Sequence, residues 1–152
     1  MDESVVRSMA KWPNVPAVYG WLSLDRRGNW LIKGERIGNY ALREFISRNY
    51  GADERGCWYF QNGPQRVFVR LAYTPLVVHY EGEQLLDQRG QAFAAGEIYL
   101  DEEGSLLFAG QGTVALLDDR DLERFAEAAD NLTRIGSREV ARRFNFVSDP
   151  RP

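Results

Sequence analysis

Large apolar residues alternate with polar or small residues along much of the chain after residue 17. The alternation runs through residues 18–32 and again on both sides of Asn62-Gly63, a dipeptide typical of a tight hairpin turn. A side-chain period of two residues indicates a strand that buries one face. The pattern therefore predicts antiparallel β-hairpins.

One turn sequence occurs three times. Leu-Asp-x-x-Gly is found at residues 24–28, 86–90 and 100–104. The aspartate can accept a hydrogen bond from the backbone two residues on, and the glycine can take a positive φ where a type I turn closes. Each copy predicts a hairpin.

A period of 3.6 residues predicts two main α-helices. The first covers residues 41–50 with Asn39 as its N-cap, and the second covers residues 122–129 with Asp118 or Asp119 as its cap. In both segments the apolar side chains share one face, as a helix that packs on a sheet requires.

Together these elements predict an α+β fold in which antiparallel hairpins pack against two main helices. A chain of 152 residues is long enough for one core. We expect a single domain over residues 1–143 and a flexible tail over residues 144–152. Shorter helical segments are predicted at residues 4–11 and 137–143.

A duplicated hairpin-then-helix unit stays open as an interpretation. Each of the two predicted helices follows a Leu-Asp-x-x-Gly turn at a comparable distance. In this alignment Leu24 matches Leu100, and Phe45 matches Phe125 after a four-residue slip. The intervals between the three turns are unequal, so the chain is not a solenoid or a propeller.

The hairpin at Asn62-Gly63 divides its residues between two faces if its loop is even-numbered. The predicted core face holds Trp58, Phe60, Val67, Val69, Leu71 and Tyr73, and the opposite face holds Cys57, Tyr59, Arg66, Phe68 and Arg70. A second reversal at Thr74-Pro75 would continue the meander and add His79 to the opposite face. Pro64 and Pro75 fit such loops poorly, so an odd-numbered loop stays open.

The composition restricts the chemistry. A lone Cys57 and a lone His79 remove any internal disulfide and most cysteine- or histidine-based metal sites. No apolar run approaches the roughly 18 to 20 residues that span a bilayer, and no signal peptide is visible. We expect a cytoplasmic protein with no metal, no cofactor and no membrane partner. Cys57 and His79 are a poor nucleophile and base, because the meander places them about 9.6 Å apart.

Charge is distributed unevenly, although the net charge is only −3. Residues 1–80 carry 11 basic and 7 acidic side chains, residues 81–130 carry 3 and 13, and residues 131–152 carry 5 and 2, which gives +4, −10 and +3. An anion-binding end produces such a pattern, and so do complementary parts of one fold. We favour the second interpretation.

The candidate ligand-binding residues are Tyr59, Arg66, Arg70 and His79, which the meander projects from the non-core face of the central strands. Two permanent cations beside a phenol and an imidazole suit an anionic ligand or an acidic protein segment. Two alternatives stay open: a helix covers this face, or acids such as Glu81 pair with the arginines.

Three other motifs fit their usual chemistry poorly. Residues 55–60 are superficially similar to the core hexapeptide of the RNA-recognition motif, but Cys57 stands where an aromatic residue is needed. Residues 110–115 match the dinucleotide fingerprint, but a strand follows instead of a helix, so we interpret them as a turn. The acids at 101–103 and 118–121 lack calcium-loop spacing and suit a turn and a helix N-terminus.

Four segments together resemble a known family; they are residues 12–22, 49–56, 60–67 and 118–122. The family consists of small uncharacterised bacterial proteins found mainly in proteobacteria, and the resemblance extends to about residue 128. It implies no assigned activity and no functional residues. The sequence has Tyr40 where we expect proline as the first helical residue after a cap.

The sequence favours a non-catalytic cytoplasmic binding or interaction protein, because tight turns are many and catalytic side chains are few. Its partner would be a protein or an anionic ligand. The first alternative is an RNA- or single-stranded-DNA-binding protein whose salt-sensitive binding depends on Arg66 and Arg70. The second is a small-molecule-binding protein or an enzyme that gathers Tyr59, Arg66, His79 and an acid around an anionic substrate. A homo-oligomer assembled through a sheet edge also stays open.

Overall fold

Strands form most of the structure, a computed structural model that describes residues 12–125 and 132–152. The strands are β1 (Ala17–Leu24), β2 (Trp30–Ile32), β3 (Glu35–Arg36), β4 (Tyr50–Ala52), β5 (Trp58–Asn62), β6 (Gln65–Leu71), β7 (Leu76–Glu81), β8 (Gln84–Asp87), β9 (Ile98–Leu100), β10 (Leu106–Gly110), β11 (Thr113–Leu117) and β12 (Thr133–Arg134). They form two six-stranded mixed sheets. The predicted α+β fold with two main helices is therefore wrong. Among the described residues, only helix α1 (Tyr40–Arg48) is an α-helix longer than four residues.

The second predicted helix is replaced, as far as it is described, by the 3₁₀ helix Asp119–Phe125. The backbone N–H of Asp118 still bonds to the carbonyl of Val78, so sheet pairing continues up to the start of the helix. The N–H of Asp121 then bonds to the carbonyl of Asp118, three residues back, which is the 3₁₀ pattern. The rest of this prediction, and the helix predicted at residues 4–11, lie outside the described residues.

The chain divides into two compact units. Unit 1 contains the described residues up to Asp25, residues 29–72 and the C-terminal segment from Val147, and unit 2 contains residues 26–28 and the described part of 73–146. Each unit contains one of the two sheets.

The sheet of unit 1 has the strand order β3-β2-β1-β6-β5-β4. Neighbouring strands are antiparallel except for β1 and β6, which are parallel with Val18 opposite Val67. The register shifts between Val18 and Leu22, where Gly20 has a φ of 75°. Strands far apart in sequence therefore form the centre of this sheet.

The sheet of unit 2 has the order β12-β9-β10-β11-β7-β8. A hairpin (β7, β8) is followed by an antiparallel meander (β9, β10, β11), whose last strand returns parallel to β7. Unit 1 has the same connectivity in its hairpin (β1, β2) and its meander (β4, β5, β6). The two units therefore repeat one topology.

This repeat differs from the one suggested by the sequence. The turn between the first two meander strands follows Asp53 in unit 1 and Asp101 in unit 2, and the second meander strands carry Phe60 and Phe108 at equivalent positions. The alignment of Phe45 with Phe125 is wrong, because the first residue lies in a helix that precedes its meander and the second follows its meander.

All three Leu-Asp-x-x-Gly turns form, and the first and third make the predicted hairpins by joining β1 to β2 and β9 to β10. The second follows β8 and closes on an isolated bridge between Leu86 and Ala92. In the third, the side chain of Asp101 accepts hydrogen bonds from the backbone N–H groups of Glu103 and Ser105, at 2.9 and 2.8 Å. A fourth turn of this type joins β4 to β5, where Asp53 accepts from the N–H groups two and four residues on. The sequence pattern missed this turn because Ala52 precedes the aspartate, although aspartate and glycine alone supply the geometry.

The loop between β5 and β6 has two residues, Gly63 and Pro64, because Asn62 lies opposite Gln65. It is therefore the even-numbered loop on which the predicted division of the two faces depends. Tyr59 lies opposite Phe68, and Phe60 lies opposite Val67. Gly63 has a φ of 56°, so it occupies the first central position of a mirror-image turn and leaves Pro64 in the second. Over β5 and β6 the division of residues between the two faces follows the prediction, but Tyr73, which was predicted on the core face, lies beyond β6 and belongs to unit 2.

The predicted second reversal at Thr74-Pro75 is wrong. Strand β6 ends in unit 1, whereas β7 lies in unit 2 and pairs with β8 and β11. The Thr74 hydroxyl donates to the carbonyl of Leu76 and accepts from the N–H of Leu116, which attaches this connection to the second sheet. As a result, His79 does not share a sheet with the other candidate binding residues.

Helix α1 packs on the core face of unit 1. Its N-cap is Asn39, as predicted, and the Asn39 side chain accepts a hydrogen bond from the Leu42 N–H at 3.0 Å. Phe45 meets Phe60 edge-on, with ring centroids 5.4 Å apart. The buried core of unit 1 includes Val18, Leu22, Trp30, Leu42, Ile46, Phe60, Val67 and Val69.

The C-terminal segment adds backbone hydrogen bonds to unit 1. The N–H of Val147 donates to the carbonyl of Gly56 at 2.9 Å, and the N–H of Leu71 donates to the carbonyl of Ser148 at 2.7 Å. These bonds connect part of the segment 144–152 to strand β6 and to the turn between β4 and β5.

Residues 137–143 form the short helical segment that the sequence predicted. A 3₁₀ turn, Ser137–Glu139, leads into one α-helical turn, Val140–Arg143, and Val140 is buried. Within residues 12–125 and 132–152, no helix has the length and apolar character needed to cross a bilayer.

Candidate functional site

Three of the four candidate binding residues lie together on the sheet face opposite helix α1. We call this surface the arginine face and define it as Tyr19, Tyr59, Arg66, Phe68 and Arg70. Arg66 and Arg70 alternate with buried residues along β6, and both are exposed. The alternation in the sequence identified this face because each arginine is two positions from Phe68.

Arg66 stacks on an aromatic ring of the neighbouring strand. Its guanidinium carbon lies 4.3 Å from the ring centroid of Tyr59, which is within the range of a cation–π contact. Stacking uses the flat face of the guanidinium and leaves its N–H edges free to donate. The tyrosine therefore orients the arginine without occupying its hydrogen-bond donors.

Within the described part of the chain, neither Arg66 nor Arg70 forms an ion pair. Arg55 differs, because its guanidinium lies 3.7 Å from the carboxylate of Asp53. The predicted alternative that Glu81 pairs with these arginines is not what the structure shows, since the contact of Glu81 is with His79 at 3.4 Å.

The aromatic rings of the arginine face already contact one another. Tyr19 stacks on Phe68 with ring centroids 4.7 Å apart and planes 6° from parallel, and Tyr59 packs on Phe68 at 5.9 Å. Phe68 is only 5% exposed although it is on the face opposite the helix. Its ring supports the two tyrosines and is not an open platform.

His79 lies in unit 2, on the wall of a cleft of about 400 Å³. The charged side chains of this cleft already have partners: Arg27 pairs with Asp119 at 3.0 Å, and Arg120 pairs with Asp118. The hydrogen bonds and positive charge of Arg120 outweigh the effect of burial and hold the pKa of Asp118 below its ordinary value. These carboxylates have structural roles here.

Cys57 is buried in unit 1, and His79 belongs to the other sheet. Burial raises the pKa of the Cys57 thiol, and the charge of Asp53 raises it further. A raised pKa keeps the sulfur protonated, which is the unreactive form. The geometry gives no support to a thiol–imidazole dyad.

The other motifs also have structural roles. In the hexapeptide at residues 55–60, Phe60 is fully buried. In the glycine-rich motif, Gln111 and Gly112 take positive φ values of 54° and 77° in the turn between β10 and β11, as predicted. Among the described residues, no group of three or more His, Cys, Asp or Glu side chains is placed to hold a metal ion.

A cleft of about 300 Å³ in unit 1 was missed by the sequence analysis. It lies beside the start of helix α1, and Trp12, Trp21, Ile32, Arg36 and Leu42 line part of its wall. These residues come from the segment before β1, from β1, β2 and β3, and from helix α1, so no local pattern could bring them together.

A family model describes nearly the whole chain. The model DUF2944, described as a protein of unknown function (DUF2946), matches residues 1–151. The chain belongs to this family. The resemblance to an uncharacterised family is thereby confirmed, and the family carries no assigned activity.

Two solved structures are similar in fold, both of DUF1285 family proteins. One, from Silicibacter pomeroyi DSS-3, is 16% identical with a TM-score of 0.55 and covers 84% of this chain and 85% of its own. The other, from Shewanella baltica OS155, is 12% identical with a TM-score of 0.53 and covers 70% and 90%. No curated protein matches the chain. At these identities, the likeness of this DUF2944 family chain to the two structures is a likeness of fold alone.

Proposed function

We propose that this DUF2944 family protein is a non-catalytic binding protein whose arginine face binds an extended acidic segment of a partner protein. The observation that carries the proposal is the pair of exposed guanidinium groups on one strand, Arg66 and Arg70, neither of which forms an ion pair within the described residues. The proposal places the protein in the cytoplasm, where a lone thiol such as Cys57 stays reduced.

Guanidinium groups fit carboxylates because two parallel N–H donors match two carboxylate oxygens. Arg66 is held on Tyr59 with its donors free, so it loses little conformational freedom on binding. This pre-orientation supports binding at Arg66 more than at an arginine that moves freely in solvent.

The spacing of the two arginines suggests the shape of the partner. Arg66 and Arg70 are four residues apart on one strand, which places their backbones about 13 Å apart at roughly 3.3 Å per residue. An extended segment with acids at positions i and i+4 presents its carboxylates on one side at the same spacing. A helical segment with the same acids presents them about 6 Å apart.

A nucleic-acid partner fits the surface less well. Base stacking needs open aromatic faces, but Phe68 is buried and the ring of Tyr59 is already under Arg66. The acidic protein segment is therefore the better candidate.

Binding to defined peptides tests the proposal. The probe is a labelled peptide with glutamates at every fourth position among β-favouring residues, measured by fluorescence polarisation. Replacing both arginines, R66Q with R70Q, should weaken binding about tenfold or more, because two charge-assisted contacts are lost. The matched control is R48Q, which removes an exposed positive charge from helix α1 and should leave the affinity unchanged.

Three results would contradict the proposal. The first is equal binding of the peptide to the unmodified protein and the double variant. The second is equal binding of a peptide that has the same composition but adjacent glutamates. The third is tighter binding of labelled oligo-dT than of the peptide, which would favour nucleic acid. Purification of the tagged protein from lysate, with and without nuclease, then identifies the partner that the double variant loses.

A further inference from the structure

The cleft beside helix α1 is lined by apolar side chains and by charged ones. We call it the tryptophan cleft; its apolar wall includes Trp12, Trp21, Ile32 and Leu42, and Arg36 and Glu35 supply its charged groups. Its volume of about 300 Å³ is at the lower end of small-ligand sites. It is separate in its lining from the arginine face, with which it shares no residue.

Trp12 contributes its ring, and not its N–H, to this wall. The side chain is buried, with 7% of the residue exposed, and the indole nitrogen is enclosed without a hydrogen-bond partner. Because that nitrogen is closed even to water, a molecule in the cleft contacts other atoms of the ring.

The polar part of the cleft favours a negative acceptor. Arg36 is exposed and forms no ion pair within the described ranges. The first turn of helix α1 begins here with no acidic residue, so its positive end is not neutralised. One carboxylate, Glu35, also lines the cleft, and Lys33 lies over the Trp21 ring at 4.2 Å.

We propose that the tryptophan cleft binds a small organic acid with an apolar or aromatic body. The apolar body packs against the indole rings, Ile32 and Leu42, while the carboxylate accepts hydrogen bonds from Arg36. Glu35 opposes the bound acid by like-charge repulsion and so limits its affinity. This site is additional to the proposed binding of an acidic protein segment.

The test compares an acid with its neutral counterpart on the full-length protein. The probes are 3-phenylpropionate, hexanoate and 3-phenylpropionamide, measured by isothermal titration calorimetry and by tryptophan emission, since two indoles line the cleft. The acids should bind at least about fivefold more tightly than the amide, because only a carboxylate gains a charge-assisted bond from Arg36.

Substitutions that are expected to change the affinity for the acids in opposite directions make the test specific. R36Q should weaken acid binding about tenfold and leave amide binding unchanged, whereas E35Q should strengthen acid binding. W21A removes one indole ring of the apolar wall, and it should weaken binding of acid and amide alike. R48Q is the matched charge control, and circular dichroism confirms that each variant is folded.

The result that supports the proposal is a preference for acid that R36Q removes and E35Q increases. It is overturned if none of the probes binds at millimolar concentration, if acid and amide bind equally, or if R36Q and R48Q have the same effect. The R66Q and R70Q double variant should bind the acids normally. This separates failure of the cleft from failure of the arginine face.

Discussion

At the residue scale, the clearest interaction is the hydrogen bond from the Tyr73 hydroxyl to the Asp101 carboxylate, at 2.8 Å. Asp101 is 2% exposed, and its carboxylate also accepts hydrogen bonds from two backbone N–H groups of its turn. Burial, followed by the bond to Asp101, raises the pKa of Tyr73 well above its ordinary value. The turn aspartate was evident in the sequence, but its tyrosine partner, 28 residues away, was not.

This raised pKa predicts how stability depends on pH. Because the folded state holds the Tyr73 proton more tightly than the unfolded state, the contribution is complete below the unfolded pKa of about 10 and is lost as pH rises above it. The free energy of unfolding in urea, followed by circular dichroism between pH 8 and 11, should fall for the unmodified protein. It should fall less for Y73F, and equal slopes for the two proteins would refute this role of Tyr73.

At the element scale, the β5–β6 turn controls which residues form the arginine face. An extra or missing loop residue would reverse the faces of β6 and bury Arg66 and Arg70. The turn depends on Gly63, whose φ of 56° lies in the left-handed region. Local turn chemistry therefore decides the position of a candidate binding surface.

G63A should destabilise the protein by about 1–2 kcal/mol, because an L-residue is strained in the left-handed region. The control is G51A, at a glycine in β4 whose added Cβ would meet no atom within 4 Å and whose φ is not left-handed. That change should alter the free energy of unfolding by less than about 0.5 kcal/mol. Urea unfolding measures both, and equal losses would show that the turn is not the sensitive position.

Helices and turns differed in how well they could be predicted. Asn39 caps α1 as expected, because a cap acts within three residues. The segment after β11 has a helical apolar period as well, yet residues 119–125 form a 3₁₀ helix. Sheet hydrogen bonding of Asp118 and its contact with Arg120 compete there with the propensity for α-helix.

At the scale of the whole molecule, the chain forms two units of one topology, and unit 1 includes both the β1 strand and the C-terminal segment. All four tryptophans, at positions 12, 21, 30 and 58, belong to unit 1. Tryptophan fluorescence therefore reports the unfolding of unit 1 alone.

Deletion of residues 147–152 should destabilise unit 1 by about 2 kcal/mol or more, because two backbone hydrogen bonds are lost and their partners are left unpaired. Urea unfolding followed by tryptophan fluorescence measures the loss. Deletion of residues 151–152, which are exposed, is the control and should have little effect. If both deletions behave alike, the hydrogen bonds of Val147 and Ser148 do not stabilise the unit.

The amino-acid order was sufficient for features that act over a few residues: the three Leu-Asp-x-x-Gly turns, the cap of α1 and the alternation of Arg66 and Arg70 with apolar residues. The residues that interact in these features are at most about five positions apart in the sequence. The local sequence therefore contains the whole interaction. The amino-acid order left the parity of the loop at Gly63 open, because Pro64 fits an even loop poorly, and the structure decided that parity. The choice of strand partners required the fold. Strand β7 joins the second sheet, β1 lies beside β6, and Trp12 lines one cleft with the start of α1. These arrangements depend on burial between segments that are distant in the sequence, and an alternating strand pattern is compatible with more than one partner strand.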